Sequence, residues 1–493
     1  MKVALIHLHA KKPTCENHAD EHLGLGYVGA ALRQENFEVF ILDDSLLSPE
    51  EMLNRFGMSK PRVIGYTLNV ENVGHVIKHA EKTRKILPDA WIVFGGHHAS
   101  LCAEHLLKAG ACDIVVAGPG ERSMVKICEQ IQTETLTKSM PFPTVWADTQ
   151  FPGFTINQWP LRDGHKGKKT ARILSSTGCP HNCVYCTTPA MKDLVKERYR
   201  ERDAIDFVNE MEALYHEGVR RFYVNDDLFV CGSPKSKKRA RKIAEEILHR
   251  GLKLQFKVEL RADSFDFTKE EDQETVDLLH KAGLNCVFLG LESGSDKMLK
   301  ALGKGITADR NRQAFMSYEK AGIQVNIGRI LFGPDTTWEE LSDSIILLGT
   351  LGAAWQIFRK PGLSLMVFTG TALERSLEAQ GRLRWPVNAA GEELHYLEPS
   401  YTVANPELQA FSEALEWAYP AIRPLLCEVF DDRSFGEEKN PDLILELNAV
   451  TLLFLNRVCA IGLSGEGFSL AGFNVALDSF LSYLRNYWGK VLP

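Results

Sequence analysis

Short apolar runs that alternate with amphipathic segments constrain the fold of this chain more than any other feature. In residues 1–133 the runs are KVALIHLHA, EVFILDD, VIGYTLNV, WIVFGG and DIVVAG, which are rich in Val and Ile and too short for helices. Between the first two runs, Leu25, Val28 and Leu32 share one helical face, and a second helix is predicted over residues 73–87. Strands separated by helices predict an α/β domain with a doubly wound, Rossmann-like parallel sheet. Its ligand is expected beyond the carboxyl ends of the strands.

A second alternation of strands and helices follows a predicted connector at residues 134–170, which is rich in proline and polar residues. Over residues 171–375 the strand candidates are ARILSST, RRFYVND, LQFKVEL, NCVFLGLE, QVNIGRILF and LSLMVFT. Six strands with six crossovers predict a partial (β/α)6 barrel of the TIM type rather than an eight-fold barrel. Residues 376–493 are predicted to form a mainly helical C-terminal domain, with helices near 406–420, 440–458 and 472–487.

Charge and cysteine content exclude several functional classes. A formal net charge of −7 over 493 residues gives no general attraction to nucleic acid or anionic lipid, so we expect a small-molecule substrate. The stretch 443–463 is the longest apolar one, but Glu446, Asn448, Asn456 and Arg457 interrupt it, which predicts a core helix and no membrane association. Eleven cysteines behind an N-terminus without a signal-peptide pattern indicate a reducing compartment, so we expect a cytoplasmic protein.

Three of the eleven cysteines lie close together and need their own explanation. The segment STGCPHNCVYCTTP follows a predicted strand and places Cys179, Cys183 and Cys186 in a C-x3-C-x2-C pattern. Three thiolates can hold three irons of a cubane cluster, which leaves the fourth iron without a protein ligand. That open position suits the amino and carboxylate groups of S-adenosylmethionine, whose carbon–sulfur bond breaks homolytically when it receives an electron.

A zinc site with His181 as fourth ligand is the alternative interpretation of this cluster. Zinc sites usually pair two C-x2-C elements that lie apart in the sequence, and this chain has no second element. His181 also follows Cys179 by two residues, which makes chelation by all four side chains awkward. The other cysteines are scattered singly, as small buried hydrophobic residues usually are.

The cysteine motif and its position after the first barrel strand resemble the radical S-adenosylmethionine superfamily. More narrowly, residues 1–375 resemble the subgroup that carries an N-terminal cobalamin-binding domain. The resemblance implies that Cys179, Cys183 and Cys186 hold a [4Fe–4S] cluster. It also implies that S-adenosylmethionine and cobalamin are cofactors, and that an electron donor such as flavodoxin or ferredoxin is a partner.

The resemblance assigns the first contacts to S-adenosylmethionine around the cysteine loop and the second barrel strand. Tyr185 stands where the family's aromatic residue contacts the adenine. Asn225, Asp226 and Asp227 occupy the place of a Gly-Gly-Glu motif that binds the cofactor's amino group. Acceptor side chains suit an ammonium, although a turn that caps the following helix would explain the same residues.

Further contacts are implied at the third and fourth barrel strands. In KVELRAD, Glu259 and Arg261 are predicted to share a strand face. Arg261 then pairs with the cofactor carboxylate, or the two side chains form a salt bridge across the barrel mouth. In GLESGS, Glu292 and Ser293 stand where the family contacts the ribose hydroxyls.

Four loops at predicted strand ends resemble those of cobalamin-binding domains, and they carry the candidates Thr67, Gly95, Gly96, Gly118, Gly120 and Glu121. Glycines let the backbone approach a large flat ligand, and a threonine hydroxyl can hydrogen-bond a buried tail. Many such domains supply an axial histidine from a D-x-H-x-x-G loop, but the region after the second strand, LDDSLLSPEE, has none. The axial face would then be empty, water-bound or filled from elsewhere. Nearby candidates, also interpretable as ordinary polar loop residues, are His7, His9, His97 and His98.

The leading functional hypothesis is a cobalamin-dependent radical methyltransferase acting on an unactivated carbon, or phosphorus, of a small biosynthetic intermediate. In this subgroup one S-adenosylmethionine donates its methyl group to the corrin, and another yields the deoxyadenosyl radical that removes a hydrogen atom from the substrate. The alternative is a non-methylating radical reaction, such as cyclisation, dehydration or rearrangement, with a modified or vestigial cobalamin domain. A non-catalytic carrier of the corrin or cluster is a third class, but it would not need a barrel of this size.

Overall fold

A computed structural model describes residues 1–9, 22–138, 145–146, 169–195, 197–358, 363–427, 441–463 and 468–491. The chain divides into two compact units. The first comprises Met1–Pro180, Tyr185–Asp227 and Val367–Ser400, and the second comprises His181–Val184, Leu228–Met366 and Tyr401–Pro493. Most of the predicted connector at 134–170 lies outside the described residues, and the domain boundaries inferred from the sequence remain predictions.

A six-stranded parallel sheet opens the first unit. Its strands are β1 (Lys2–His7), β2 (Glu38–Asp43), β3 (Val63–Thr67), β4 (Trp91–Gly95), β5 (Ile114–Val116) and β6 (Val145–Trp146). They lie in the order β2-β1-β3-β4-β5-β6, and each neighbouring pair is parallel. The strand order reverses between β1 and β3, which is where open α/β sheets bind their ligands. The predicted doubly wound sheet is confirmed.

Six helices pack on this sheet: α1 (Leu23–Gln34), α2 (Pro49–Ser59), α3 (Val73–Ile86), α4 (His97–Leu101), α5 (Ala103–Lys108) and α6 (Glu121–Gln132). One core cluster contains Phe56 of α2, Val76 of α3 and Leu106 of α5. A separate cluster contains Leu32 of α1 and Ile127 of α6. The two clusters lie on opposite faces because successive strand residues point to opposite sides of the sheet. Both faces of the sheet are therefore covered.

The first unit continues through the segment that carries the cysteine motif. Its elements are β7 (Thr170–Ile173), β8 (Ser176–Gly178), α7 (Thr187–Ala190), a 3₁₀ turn (Lys192–Leu194), β9 (Tyr199–Glu201), α8 (Ala204–His216) and β10 (Arg221–Val224). β7 pairs in parallel with β10, whereas β8 pairs antiparallel with β9. The single predicted strand ARILSST is therefore divided in two, because its second half pairs with a different partner from its first half.

The second unit repeats the strand–helix alternation. Its elements are α9 (Pro234–His249), β11 (Gln255–Leu260), α10 (Glu270–Lys281), β12 (Leu284–Glu292), α11 (Asp296–Ala301), α12 (Ala308–Lys320), β13 (Gln324–Arg329), α13 (Trp338–Thr350) and a 3₁₀ turn (Ala354–Phe358). β11 pairs with β12 and β12 with β13, all in parallel. Together with β7 and β10, these strands match the first five barrel candidates.

The sixth candidate, LSLMVFT, differs from expectation. Within the described residues it contributes one isolated parallel bridge, between Phe332 and Ser364. Leu363, Leu365 and Val367 are buried, so their alternation with more exposed residues reflects an extended segment packed on the core. The pattern that predicted a strand arises here from burial without a continuous ladder of hydrogen bonds.

The C-terminal region is mainly helical, as predicted. After α14 (Ala372–Ala379), β14 (Leu383–Arg384) and β15 (Ser400–Tyr401) come the long helices α15 (Pro406–Cys427), α16 (Pro441–Leu463) and α17 (Leu470–Val491). Phe454 of α16 stacks on Phe480 of α17 with ring centroids 5.2 Å apart. Among the described residues, no helix combines the length and apolar character needed to cross a membrane.

Candidate cofactor site

The cysteine loop begins where β8 and β9 come very close together. Gly178, the last residue of β8, has φ 78°, and a Cβ atom there would lie 2.1 Å from the carbonyl oxygen of Arg198. No side chain fits in that space, and the left-handed backbone favours glycine as well. The Gly178–Tyr199 pairing therefore fixes the backbone immediately before Cys179.

The three cysteines of the motif are half-buried and form no disulfide bond. Cys179 and Cys186 belong to the first unit, and Cys183 belongs to the second. Three thiols that are free of disulfide bonds and spaced within eight residues are a donor set that fits a cluster with one iron left open. In the second unit, Nη1 of Arg261 lies 3.7 Å from Sγ of Cys183.

Asp226 anchors the backbone that leads into the cysteine loop. Its carboxylate is 2% exposed and accepts the N–H groups of Ser175 and Ser176 at 2.7 and 2.9 Å. The Ser175 hydroxyl donates to its second oxygen. Both oxygens are therefore engaged by this segment, which indicates a structural role where the sequence suggested a cofactor contact.

Asp227 and Asn225 are exposed, and both line a large cavity of the first unit. Asp227 accepts the Gly178 N–H at 2.8 Å and the Thr188 hydroxyl at 3.2 Å. Asn225 accepts a hydrogen bond from Arg172 at 2.7 Å. An exposed carboxylate and amide at the cavity wall retain acceptor capacity for an ammonium group.

Arg261 lies one residue beyond β11 and is 7% exposed. Its Nε and Nη2 atoms donate to the two carboxylate oxygens of Asp263 at 2.9 and 3.0 Å. Nη2 also donates to the Lys304 carbonyl at 2.6 Å. Burial opposes ionisation of Asp263, but the hydrogen bonds and charge of Arg261 outweigh it and lower the pKa of that carboxyl. Glu259 is exposed, so the two residues predicted to share a face differ in environment because β11 ends at Leu260.

Glu292 and Ser293 lie at the end of β12 in the second unit. Glu292 has φ 65°, an uncommon value for a non-glycine residue, and its carboxylate accepts from Nζ of Lys304 at 3.1 Å. Ser293 is 3% exposed; its hydroxyl lies 3.0 Å from that of Ser344 and accepts the Ser295 N–H. Ser293 therefore stabilises the turn, while the backbone of Glu292 is held in the left-handed region. Tyr185, in the first unit, is half-buried in the turn before Cys186.

A cavity of about 800 Å³ lies within the first unit, at the carboxyl ends of its parallel strands. Its lining includes all the candidates inferred for cobalamin, namely Thr67, Gly95, Gly96, Gly118, Gly120 and Glu121. Asn225 and Asp227, inferred for S-adenosylmethionine, line the same cavity. The structure thus brings residues from both predicted sets together in one unit.

Gly96 shows why this cavity suits a large flat ligand. Its φ is 98°, and a Cβ atom there would lie 2.7 Å from the Leu68 carbonyl and 3.0 Å from the Thr67 hydroxyl. The loops after β3 and β4 therefore meet backbone to backbone and leave the space above them open. The volume is of the size found for cofactor pockets, so the residues present fit a corrin.

Histidines line one side of this cavity. His7 ends β1, and His9 lies two residues beyond it. Their Nδ1 atoms contact carboxylates: that of His7 lies 2.8 Å from Asp43, and that of His9 contacts Asp44. Ligand atoms of His7, His9 and Asp43 all lie within 4.8 Å of one another. A carboxylate that is hydrogen-bonded to one ring nitrogen orients an imidazole, as it does for the histidine ligands of metal sites. His97 also lines the cavity, whereas His98 is buried with Nε2 2.7 Å from the Tyr396 carbonyl.

His22 is a cavity residue that sequence reasoning missed. It precedes α1, where Nδ1 accepts the Leu25 N–H at 3.2 Å and Nε2 lies 3.2 Å from the Thr67 hydroxyl. Burial, assisted by the charge of His7, lowers the pKa of His22 to about 3, so the ring is neutral at pH 7. The family's D-x-H-x-x-G loop would place a histidine after the second strand, whereas His22 lies in HLGLG, at the start of the first helix.

Glu121 begins α6 at the same cavity wall. Burial raises the pKa of Glu121 to about 7, although the N–H groups of Gly120 and Glu121 partly oppose the shift. Part of the carboxyl population is therefore neutral near pH 7, and the protonated form can donate a hydrogen bond as well as accept one.

Two family models match the chain. The B12 binding domain matches residues 20–127, and the Radical SAM superfamily matches residues 173–348. Hopanoid C-3 methylase of Methylococcus capsulatus is 27% identical over 335 residues, which cover 65% of this chain and 62% of that protein. Anaerobic magnesium-protoporphyrin IX monomethyl ester cyclase of Synechocystis is 24% identical over 315 residues, which cover 59% and 60%. The matches span about three fifths of the length of these two relatives.

The fold is also that of a solved enzyme. The radical S-adenosylmethionine methyltransferase TsrM from Kitasatospora setae, with cobalamin and a [4Fe–4S] cluster bound, superposes with a TM-score of 0.68 at 19% identity. The likeness covers 98% of this chain and 99% of TsrM. The two family matches indicate the cofactors: a [4Fe–4S] cluster and S-adenosylmethionine for the Radical SAM superfamily, and cobalamin for the B12 binding domain. The chain therefore carries a B12 binding domain followed by a domain of the Radical SAM superfamily.

Proposed function

We propose that this protein is a cobalamin-dependent radical S-adenosylmethionine methyltransferase that methylates an unactivated carbon, or phosphorus, of a small biosynthetic intermediate. The observation that carries the proposal is the cavity of the first unit, whose wall includes both corrin candidates and Asn225 and Asp227. Methyl transfer requires the methyl carrier and the radical source to reach one substrate, so their binding groups must share a site. A relative named as a methylase supports the same reaction class.

The roles of individual residues follow from their surroundings. Cys179, Cys183 and Cys186 would hold the cluster, and the exposed acceptors Asn225 and Asp227 would bind the ammonium of S-adenosylmethionine. When bound, the cofactors supply the electron, the radical and the methyl group, and the protein orients them and excludes water.

The remaining candidates would shape the two cofactor sites. Tyr185 would contact the adenine, and Glu292 the ribose. Thr67, Gly95, Gly96, Gly118 and Gly120 would lie against the corrin, since they line the cavity. Glu121 would offer the corrin periphery a carboxyl group that is neutral or charged near pH 7.

Cluster chemistry also bears on partners and location. We infer that a flavodoxin- or ferredoxin-type protein donates the electron and that the enzyme works in the cytoplasm. The support is that the nine cysteines whose side chains the structure describes form no disulfide bond, as expected in a reducing compartment.

A non-methylating radical reaction is the second candidate, and the relative named as a cyclase favours it. The two reactions differ in their products. Methylation consumes one S-adenosylmethionine as methyl donor and another as radical source, so S-adenosylhomocysteine and deoxyadenosine form together. A cyclisation or rearrangement yields deoxyadenosine, or regenerates the cofactor, without S-adenosylhomocysteine.

Product analysis tests the proposal. The full chain, anaerobically loaded with iron, sulfide and cobalamin, is incubated with reductant, methyl-deuterated S-adenosylmethionine and a small-metabolite extract. We expect deoxyadenosine and S-adenosylhomocysteine in similar amounts, and a labelled product. Cys183→Ala should abolish deoxyadenosine but retain cobalamin, whereas Cys231→Ala, another half-buried free thiol, should behave as wild type. Deoxyadenosine without S-adenosylhomocysteine would support the second candidate, and neither product from cluster-loaded protein would contradict both.

A further inference from the structure

A buried guanidinium contacts one of the cluster cysteines in the second unit. Nη1 of Arg261 lies 3.7 Å from Sγ of Cys183, within hydrogen-bonding range for sulfur. The other donor atoms of Arg261 are directed elsewhere, to the Asp263 carboxylate and the Lys304 carbonyl. The guanidinium is planar, so fixing its Nε and Nη2 edge on Asp263 also fixes the direction of Nη1.

The backbone of the same cysteine segment is held by the segment that holds Arg261. The Val184 N–H donates to the Leu302 carbonyl at 3.1 Å. A Cβ atom on Gly303 would lie 3.0 Å from the Asn182 carbonyl, so the two segments are in close contact. Residues 302–304 therefore hold both the cysteine backbone and the guanidinium, and the sulfur-to-nitrogen contact is defined from both sides.

Lys304 adds a second buried cation to this region. It is 5% exposed, and its Nζ donates to Glu292 at 3.1 Å. Arg261 and Lys304 are thus each matched by one carboxylate, Asp263 and Glu292. Because the charges are balanced pairwise, the directional N–H to Sγ contact is the feature that distinguishes Arg261.

We propose that Arg261 is a positioning residue that raises the reduction potential of the cluster by donating a hydrogen bond to the Cys183 thiolate. The inference rests on the proposed function, since it requires a cluster on Cys183. Reduction adds one electron from an external one-electron donor, and the added negative charge spreads onto the sulfur ligands. A donor already aimed at one sulfur stabilises the reduced form more than the oxidised form. Arg261 stays protonated throughout, so no proton moves with the electron.

The test is an anaerobic redox titration of the cluster-loaded full chain, followed by electron paramagnetic resonance. It is run without S-adenosylmethionine, so that a contact between Arg261 and the cofactor carboxylate would not affect the result. We expect Arg261→Gln to shift the midpoint potential to a more negative value. Arg261→Lys should give a smaller negative shift, because it keeps the positive charge but loses the planar guanidinium that Asp263 orients. Asp263→Asn should also shift the midpoint potential to a more negative value, because the Asp263 carboxylate no longer fixes the orientation of the guanidinium.

Arg310 provides a matched control in the same unit. Like Arg261, it donates to a backbone carbonyl and a nearby carboxylate, those of Phe265 and Asp266. Arg310→Gln should leave the midpoint potential at the wild-type value. Iron content is measured for every variant. If Arg261→Gln loses iron, the midpoint potentials of Arg261→Lys and Asp263→Asn decide the test.

The outcomes distinguish the role of Arg261 from the proposed function. Variants that keep their iron and titrate at the wild-type midpoint would overturn the role of Arg261 and leave the proposed function intact. Wild-type protein without a reducible cluster would contradict the proposed function itself. A negative shift in Arg261→Gln with an unchanged Arg310→Gln supports the inference.

Discussion

Asp227 contacts Gly178 and Thr188, and so holds both ends of the cysteine loop. Its carboxylate accepts the Gly178 N–H at 2.8 Å, one residue before Cys179, and the Thr188 hydroxyl at 3.2 Å, two residues after Cys186. One exposed side chain thereby limits how far the two ends of the loop can separate. A cluster bound to this loop would depend on that restraint.

Replacing Asp227 with alanine should weaken cluster retention. Each hydrogen bond to a charged group contributes about 1.5–3 kcal/mol, so loss of two should loosen the loop without unfolding the unit. We expect less iron per chain after reconstitution and desalting. Asp203→Ala is the control, because Asp203 also accepts backbone N–H groups, at the start of α8. If Asp227→Ala kept the wild-type iron content, the cluster would not depend on Asp227 holding the two ends of the cysteine loop.

Asp226→Asn should reduce stability rather than cofactor affinity. One oxygen of the buried carboxylate accepts the N–H groups of Ser175 and Ser176, and the other accepts the Ser175 hydroxyl. An amide keeps an oxygen for the N–H groups but offers no acceptor to the hydroxyl. An unsatisfied buried donor costs about 1–3 kcal/mol. The urea midpoint should therefore fall, while the folded protein still binds S-adenosylmethionine. Unchanged stability with lost binding would instead support the cofactor contact inferred from the sequence.

Glu121 should make the stability of the cofactor-free protein depend on pH. Its pKa is raised from 4.5 to about 7 in the folded state, so the folded protein binds the proton more tightly than the unfolded chain does. Stability from this group is complete below pH 4.5, falls as the pH rises to about 7, and stays reduced above that.

The variant Glu121→Gln should remove that dependence. At pH 8 it should be more stable than wild type, by up to about 3 kcal/mol, because its neutral amide incurs no charge-burial penalty. At pH 4.5 the two proteins should have similar urea midpoints. An equal difference at both pH values would show that the carboxyl is not titrating in the folded state.

Gly96→Ala should damage the corrin site. Its φ is 98°, and the added Cβ would lie 2.7 Å from the Leu68 carbonyl, so the loops after β3 and β4 must separate. We expect cobalamin affinity to fall at least about tenfold, which corresponds to about 1.4 kcal/mol. Gly110→Ala is the matched control, since Gly110 also has a positive φ, 69°, but nothing within 4 Å. It should lose some stability and retain cobalamin, as measured by equilibrium dialysis. Equal cobalamin affinities in the two variants would contradict the role of Gly96 in the corrin site.

Much of the fold could be predicted because burial imposes the sequence pattern. The Val- and Ile-rich runs are strands covered on both faces, and α1 buries Leu25 and Leu32 as its periodicity indicates. The β8–β9 pair could not be foreseen, because three-residue strands carry too few side chains for a pattern. Its one strong sequence signal, Gly178, is interpretable only once Arg198 is seen against it.

Family motifs select the candidate site residues from the sequence, but tertiary contacts decide their surroundings. Alternation along the strand placed Glu259 and Arg261 together, but β11 ends at Leu260 and the partner of Arg261 is Asp263. His22 reaches Thr67, 45 residues away, and no local pattern encodes that distance. Burial and partner choice depend on the assembled fold, so a single sequence cannot supply them.

The central claim, that three cysteines leave one iron open to S-adenosylmethionine, is tested most directly by electron paramagnetic resonance of the reduced protein with and without that cofactor. We predict about four irons and four sulfides per chain and a cluster signal that changes when S-adenosylmethionine is added. A signal indifferent to S-adenosylmethionine, or stoichiometric zinc in place of iron, would contradict the account.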